Sequence, residues 1–504
     1  AVAGLTADDF QLFEDGKPQK ITGFYTIQNG TVKLPGGAAD RDRQDQFRRK
    51  VVLMVDNNSV DKIQRDRALT RLDDFIDNQF GQDYEWSVIS VGSSVETLQP
   101  FTEQKGEIRE ALVRARNEPS ISFQRDVDRR ILSDPGRDAL RGEEFDRIAG
   151  EETGYSFGAL ARFQGNEQTY RNLVATVRAA KAVIQTCRAY SSSAGKKLLL
   201  LVSGGMEMNT TFAQFDDPKD RQASDMRREL EQVLDTMVKE ANAANFTIYV
   251  VNANGHQQQA PQHDITNSTS GTGADNVFQA GAAAAPIDTS DRDSAAIMLT
   301  AGTGGRYLPS NVIDQSLQTI DDETGNFYSL AYSPAHPSDG AYHRISVKVT
   351  RPGLQVRSRE GYLDLSADQK LEQSLKSPIT FAKEKGSLPV SIRVGLPEQG
   401  AGKMIVPITA SMPLRSVTFL PRDSEELGRV HIYLTIYDSS GKNIGYTHNV
   451  QDLKVPVNLL ASNLNKPFNY TMKVNMKKGS YTFVVTLRDD LSNEIGSAFQ
   501  DVRL

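Results

Sequence analysis

A single cysteine, Cys187, stands among 504 residues. One thiol excludes an internal disulfide framework and any site built from four thiolates. It is compatible with the cytosol, and equally with a secreted bacterial protein that avoids stray disulfides. No run approaches the roughly 20 apolar residues that a membrane-crossing helix needs, and no signal-peptide pattern opens the chain. The first residues, AVAGLTADDF, lack Met and read as entering a domain already under way, so residues upstream of Ala1 are expected. Long basic blocks are missing as well. The net charge of -6 is small for this length, so neither nucleic acid nor an anionic membrane surface is implied as partner.

Histidine is scarce. Of the six, His256 and His263 are near one another, with no Cys, Glu or third His at ligand spacing, so the pair is not read as a metal site. Neither GxxxxGK[ST] nor GxSxG occurs, which removes the P-loop and the nucleophile elbow. The segment AGTGG leads into an apolar run with strand character rather than a helix and offers no phosphate cradle. The acid pairs Asp216–Asp217 and Asp489–Asp490 fall in expected turns and read as solvated.

What is present is ordinary globular composition. With 38% hydrophobic and 24% charged residues, disorder throughout is excluded, and the length exceeds what one core fills, so two to four domains are expected. The segment LTADDFQLFEDGKPQKITGFY alternates around EDGK, a hairpin signal because Asp-Gly readily takes positive φ. A polar tract, NGTVKLPGGAADRDRQDQ, follows as a linker. From Val51 the pattern changes. Apolar runs VVLMV, WSVISV, LLLLV, TIYVV and the shorter GGRYL are separated by amphipathic stretches carried by Leu69, Leu72, Ile76 and Phe80, by Leu173, Val177, Ala180, Ile184 and Cys187, and by Met226, Leu230, Val233, Met237 and Ala241. Continuous apolar strands between helices predict a parallel, doubly wound α/β sheet spanning 48–310. Cys187 then packs as a small buried hydrophobe.

Two stretches interrupt this domain: a charge-dense one at 118–165 and a Gln- and small-residue-rich one at 255–292. A helical linker at 311–324 precedes β texture in FYSLAYSP and in HRISVKVTRPGLQVRSREGYL. Residues 375–504 hold strand–turn–strand units, HIYLTIYDSSGKNIGYTHNV and YTFVVTLRDDLSNEIGSAF, and predict an all-β sandwich without helices.

Taken together, GLTADDFQLFEDGKPQKITGFY, VVLMVDNNSVD, AGTGGRYLP and FYSLAYSPAHPSDGAYHRISVKVTRPGLQVRSREGYL resemble, from Gly4 to Leu363, the VWFA-related (von Willebrand factor type A) proteins of the Acidobacteria. The resemblance implies a Rossmann-like factor A domain inserted in a discontinuous β-sandwich, 1–30 plus 325–365. The tail looks like the Ig-like sandwich that some members carry. It also implies export, to the periplasm or cell surface or outside the cell, and a role in binding other proteins rather than in catalysis.

Factor A domains with an intact metal-ion-dependent adhesion motif end the first strand in Asp-x-Ser-x-Ser and supply a second Asp after the fourth. Hard divalent cations want about six oxygen donors, and at least two carboxylates offset their charge. Here Asp56 survives, Asn58 stands for the first serine and Val60 for the second; Ser203 and Gly204 stand where the pattern has Ser-Asp. Only Asp61 or Glu207 offers a replacement nearby. The motif is therefore read as degenerate: Asp56, Asn58, Ser59, Ser203 and Gly204 form a binding loop that holds neither Mg²⁺ nor Ca²⁺, and no cofactor is expected. Asp56 should instead accept backbone N–H groups at the start of the next helix. The expected function is that of a non-enzymatic interaction protein. A structural subunit of a cell-surface or periplasmic assembly, homo- or hetero-oligomeric, is the first alternative, and a metal-dependent adhesion module is the second.

Overall fold

The computed structural model describes residues 2–33, 49–60, 62–79, 84–92, 95–119, 167–193, 195–204, 221–253, 294–309, 313–377, 386–399, 404–422, 424–439, 441 and 443–504. They form two compact units. One comprises 1–187 and 193–365, the other 188–192 and 366–504. The stretches at 118–165 (apart from 118 and 119) and 255–292 lie outside the described residues, as do His256, His263, Asp61, Glu207 and the pair Asp216–Asp217.

In the first unit, strands β1 (Phe10–Glu14), β2 (Lys17–Gln19), β3 (Gly23–Gln28) and β4 (Thr31–Lys33) precede an α/β portion. That portion runs β5 (Arg49–Asp56), α1 (Lys62–Gln79), β6 (Tyr84–Val91), β7 (Val95–Thr102), α2 (Lys105–Asn117), α3 (Glu167–Ala189), β8 (Lys197–Ser203), α4 (Arg221–Ala243), β9 (Phe246–Asn252), α5 (Ser294–Gly302), β10 (Arg306–Pro309) and α6 (Ile313–Gly325). Its six strands lie in the order β10-β9-β8-β5-β6-β7. Every residue of β8 and β9 is buried, as a strand covered on both faces requires. Leu69, Leu72 and Ile76 of α1 pack with Val51, Leu53 and Val55 of β5 in one apolar cluster.

The sheet is mixed rather than wholly parallel, because β7 runs antiparallel to β6. The sequence reading passed over VETLQPFT. Its burial alternates and it contains Pro100, both of which suit an edge strand that is half-open to water and need not donate every N–H. Strands are added outward from β5 to β7 and then, from β8, on the other side. The order therefore reverses between β5 and β8, the place at whose carboxyl ends open α/β sheets bind ligands.

Strands β11 (Phe327–Ala331), β12 (Tyr342–Val349) and β13 (Gly361–Leu363) complete this unit. They pair back onto the first four, giving sheets ordered β13-β12-β1-β2 and β11-β3-β4. Phe10 opposes Val349 and Glu14 opposes Ile345 across more than 330 residues of chain. The β1–β2 turn is closed by Asp15 and Gly16, both at positive φ (48° and 78°), the two-residue turn whose twist matches its strands. Phe10, Phe24 and Tyr328 cluster between the two small sheets, with ring centroids 5.4–6.0 Å apart.

The second unit contains α7 (Ala367–Lys376), β14 (Ser391–Val394), β15 (Glu398–Gln399), β16 (Met404–Pro413), β17 (Leu420–Arg422), β18 (Glu425–Asp438), β19 (Asn443–Pro456), α8 (Val457–Asn463), β20 (Pro467–Met476), β21 (Ser480–Asp489) and β22 (Ile495–Arg503). β16 pairs with β14, β15 and β20, while β18 pairs with β17, β19 and β21, which pairs with β22. The apolar faces of both antiparallel sheets share one core, from Val406, Ile408 and Ala410 to Ile432, Leu434 and Val485. Helix α8 corrects the expectation of strands alone over 375–504, and α7 begins before that range. α7 lays Leu371 and Leu375 against Tyr433, which explains why β18 is buried on both faces. Asp489, expected in a solvated turn, ends β21 fully buried and accepts from Thr418 N, Ser492 N and Ser492 Oγ.

Candidate functional site

The loop after β5 brings Asp56, Asn58, Ser59, Ser203 and Gly204 together at the point where strand order reverses. Asp56 is buried there. Its Oδ1 accepts from Asn58 N (3.1 Å), and its Oδ2 accepts from Ser59 Oγ (2.5 Å) and Ser203 Oγ (3.2 Å). The two hydroxyl oxygens are 2.9 Å apart, and Gly204 N donates to Ser59 Oγ (2.9 Å). Burial pushes the Asp56 carboxyl above its ordinary value, against the pull of these donors.

These residues do not fit a divalent cation. Val60, at the position of the second serine, is fully buried in the core with Leu53 and Leu69. Asn58 spends its amide N–H groups on the carbonyls of Val91 (3.3 Å) and Gly92 (3.0 Å), leaving Oδ1 as one open buried acceptor. Among the described residues, one carboxylate, one amide oxygen and two hydroxyls bound to each other's partners fall short of the six or so oxygens and two charges that such an ion takes.

Arg65, which the sequence reading did not single out, locks the loop from beneath. It is fully buried and donates to Asn57 Oδ1 (2.7 Å), Glu118 O (2.9 Å) and Arg116 O (2.5 Å). Asn57 in turn donates to Ser90 Oγ (2.9 Å). The end of α2, the start of α1 and the ends of β5 and β6 are thus tied at one edge. Ala253 N donates to Ser203 O (2.8 Å) at the same edge. The chain accordingly departs for 120–166, 205–220 and 254–293 beside Asp56.

Two histidine clusters were missed because their members are separated in sequence. In the first unit, the rings of His336 and His343 stack with centroids 4.3 Å apart. Glu14, Asp339 and Asp364 surround them: Glu14 Oε2 lies 3.6 Å from His336 Nε2, and Asp339 Oδ1 lies 3.2 Å from His343 Nε2. Buried Glu14 accepts from Tyr332 and Tyr362 hydroxyls, each at 2.6 Å. Burial alone would raise its carboxyl; those donors and the histidines outweigh it and hold the group below its ordinary value. The i, i+7 spacing in HPSDGAYH was the available signal, but Glu14 arrives only through β1–β12 pairing. In the second unit, His431 Nδ1 and His448 Nε2 are 3.0 Å apart, and His431 Nε2 lies 3.0 Å from Asp490 Oδ1. Arg488 already answers both Asp368 (2.5 Å) and Asp490 (3.3 Å) there.

No family model and no curated protein matches this sequence. Among solved structures, an aerotolerance-related membrane protein from Bacteroides fragilis is similar over 55% of this chain and 98% of its own, at 10% identity and a TM-score of 0.27. A Bacteroides uniformis β-glucuronidase is similar over 23% of this chain at 10% identity and a TM-score of 0.17; this chain spans 13% of that enzyme. A Kluyveromyces marxianus β-glucosidase is similar over 65% of this chain and 33% of its own, at 6% identity and a TM-score of 0.14. Likenesses this weak assign neither family nor activity. Among the described residues, no helix is long and apolar enough to cross a membrane.

Proposed function

We propose that the chain is a non-enzymatic protein-binding module: a von Willebrand factor A-like α/β domain, spliced into a β-sandwich and followed by an Ig-like one, that binds without a metal at the carboxyl edge of its central sheet. One observation carries this reading. At the topological switch point the polar groups of Asp56, Ser59 and Ser203 satisfy one another, while three long segments depart from the same edge. A rigid edge with long connections is the arrangement from which α/β folds present binding loops. Ser59 Oγ is committed to a carboxylate and a backbone N–H, with no imidazole beside it among the described residues, which speaks against acyl-transfer chemistry. Export to the cell envelope belongs to the reading and rests on the flanking motifs that resemble the VWFA-related proteins.

The test uses photo-cross-linking residues placed by codon suppression at Gly92, on this edge, and at Lys105, at the start of α2, in cells producing the full chain. A covalent adduct to another protein at Gly92 alone supports the reading; adducts at Lys105 alone, or at neither position, sink it. Calorimetry with Mg²⁺, Mn²⁺ and Ca²⁺ should give the same heat for the wild type and Asp56→Ala. Binding abolished by that substitution would favour a metal-dependent adhesion module instead.

A further inference from the structure

The cluster of Glu14, His336 and His343 has a polarity that its own hydrogen bonds leave unanswered. One ligand atom from each of these three residues lies within 4.8 Å of the other two, and the same holds for Asp339, His343 and Asp364. His343 is common to both sets. Each histidine engages an acceptor through Nδ1: His343 with Asp15 Oδ2 at 2.8 Å, His336 with the carbonyl of Pro337 at 3.1 Å. A protonated Nδ1 puts the lone pair of the His336 ring on Nε2; His343 Nε2 lies 3.2 Å from Asp339 Oδ1, so a metal ion at that nitrogen would replace the proton between them. His336 Nε2 is buried and has no hydrogen-bond partner, although Glu14 Oε2 is only 3.6 Å away.

That is the pattern of metal-binding imidazoles, in which a carboxylate or carbonyl orients the ring through one nitrogen and the metal takes the other. Glu14, the most buried carboxylate of the group, has its Oε1 occupied by two tyrosine hydroxyls, and its Oε2 faces His336. Asp15 is fixed in turn by Arg344 N (2.9 Å).

We propose that Glu14, His336 and His343 bind one Zn²⁺ ion through Oε2 and the two Nε2 atoms, with Asp339 or Asp364 as the fourth ligand. Two imidazoles with carboxylates form a borderline donor set, which suits zinc better than Ca²⁺ or Mg²⁺. Ligand atoms around tetrahedral zinc stand about 3.4 Å apart, given bonds of about 2.0–2.2 Å, so Glu14, His336 and His343 close on an ion with side-chain shifts of about an ångström. The ion would pin β1 to the strands that return more than 300 residues later, closing a long loop. The second histidine cluster does not compete, because the Arg488 guanidinium already occupies the position of the cation.

The experiment uses the full chain stripped with EDTA, then measures zinc by mass spectrometry of the metal content and affinity by competition with a chromophoric chelator. Expected are one equivalent in the wild type, a loss of affinity of at least about 100-fold in His336→Ala/His343→Ala, and about 10-fold in Asp15→Asn, the size of effect usual for an orienting group. Asp56→Ala should bind as the wild type does, so this proposal and the metal-free reading of the β5 loop fail independently. Zinc-edge X-ray absorption of the loaded wild type should show two imidazole nitrogens, a readout that requires no variant to fold. Substoichiometric zinc in the wild type, unchanged affinity in the double variant, or a spectrum without imidazole would each overturn the site.

Discussion

At the scale of single residues, Asp56 carries the most information. Its carboxyl is raised because burial disfavours the charge more than three donors favour it. A carboxyl raised in the folded state contributes stability that is fully present below its ordinary value of 3.8 and is lost as pH rises through its folded value. Asp56→Asn should therefore raise Tm at pH 7, by about 3 °C, the response of a domain this large to about 1 kcal/mol. The gain should shrink to nothing as the pH approaches 3.8. Thermal melts of both proteins across pH 3.5–7.5 decide the matter; a variant less stable at pH 7 would mean that the three donors need a charged acceptor. This loop was legible in VVLMVDNNSVD because its polar partners are local or lie at the end of β8, the strand beside β5 in the sheet. Arg65 was not, since a lone arginine on a helix reads as surface until the carbonyls of Arg116 and Glu118 close over it.

At the scale of elements, continuous apolar runs revealed β5, β6, β8 and β9, because burial on both faces leaves no other composition. Strand β7 escaped notice: among the described residues it is the edge of the sheet, and its composition is mixed. Helix α7 escaped for a different reason. Ten residues, ADQKLEQSLK, are too few for a strong period, yet the start was written in Ser366 and Gln369, which form a reciprocal capping box. Ser366→Ala should cost the second unit about 1 kcal/mol, measured as a shift in its denaturation midpoint, and should leave the first unit unchanged. The turn before β10 makes a harsher demand. A Cβ at Gly305 would stand 1.8 Å from Ile248 O, in the backbone of β9. Backbone cannot yield as a side chain does, so Gly305→Ala should destabilise the first unit by about 3 kcal/mol or more and leave little soluble protein; a variant melting within 2 °C or so of the wild type would contradict this packing.

At the scale of the whole molecule, the two units carry separate cores and separate reporters. The chain's one tryptophan, Trp86, is buried in the first, so its emission follows that unit. In the second, burial and then the neighbouring His431 hold the His448 ring below its ordinary value of 6.5. Because the folded ring takes a proton less readily than the unfolded one, its contribution to stability is full above about pH 6.5 and drains away as pH falls through the folded value. Asp368, lowered despite burial by Tyr433 and Arg488, adds a loss in the same direction below its ordinary 3.8. His448 is largely open to water, so its share is well under about 1 kcal/mol. Hydrogen exchange resolves changes of that size. Between pH 7.5 and 5.5, amides of Glu425–Asp438 should lose protection once the intrinsic pH dependence of exchange is removed, whereas the unfolding midpoint followed through Trp86 should not track that loss. His448→Gln should flatten the exchange response, since Gln cannot take up the proton. An undiminished slope in that variant would assign the acid sensitivity of the second unit to another group.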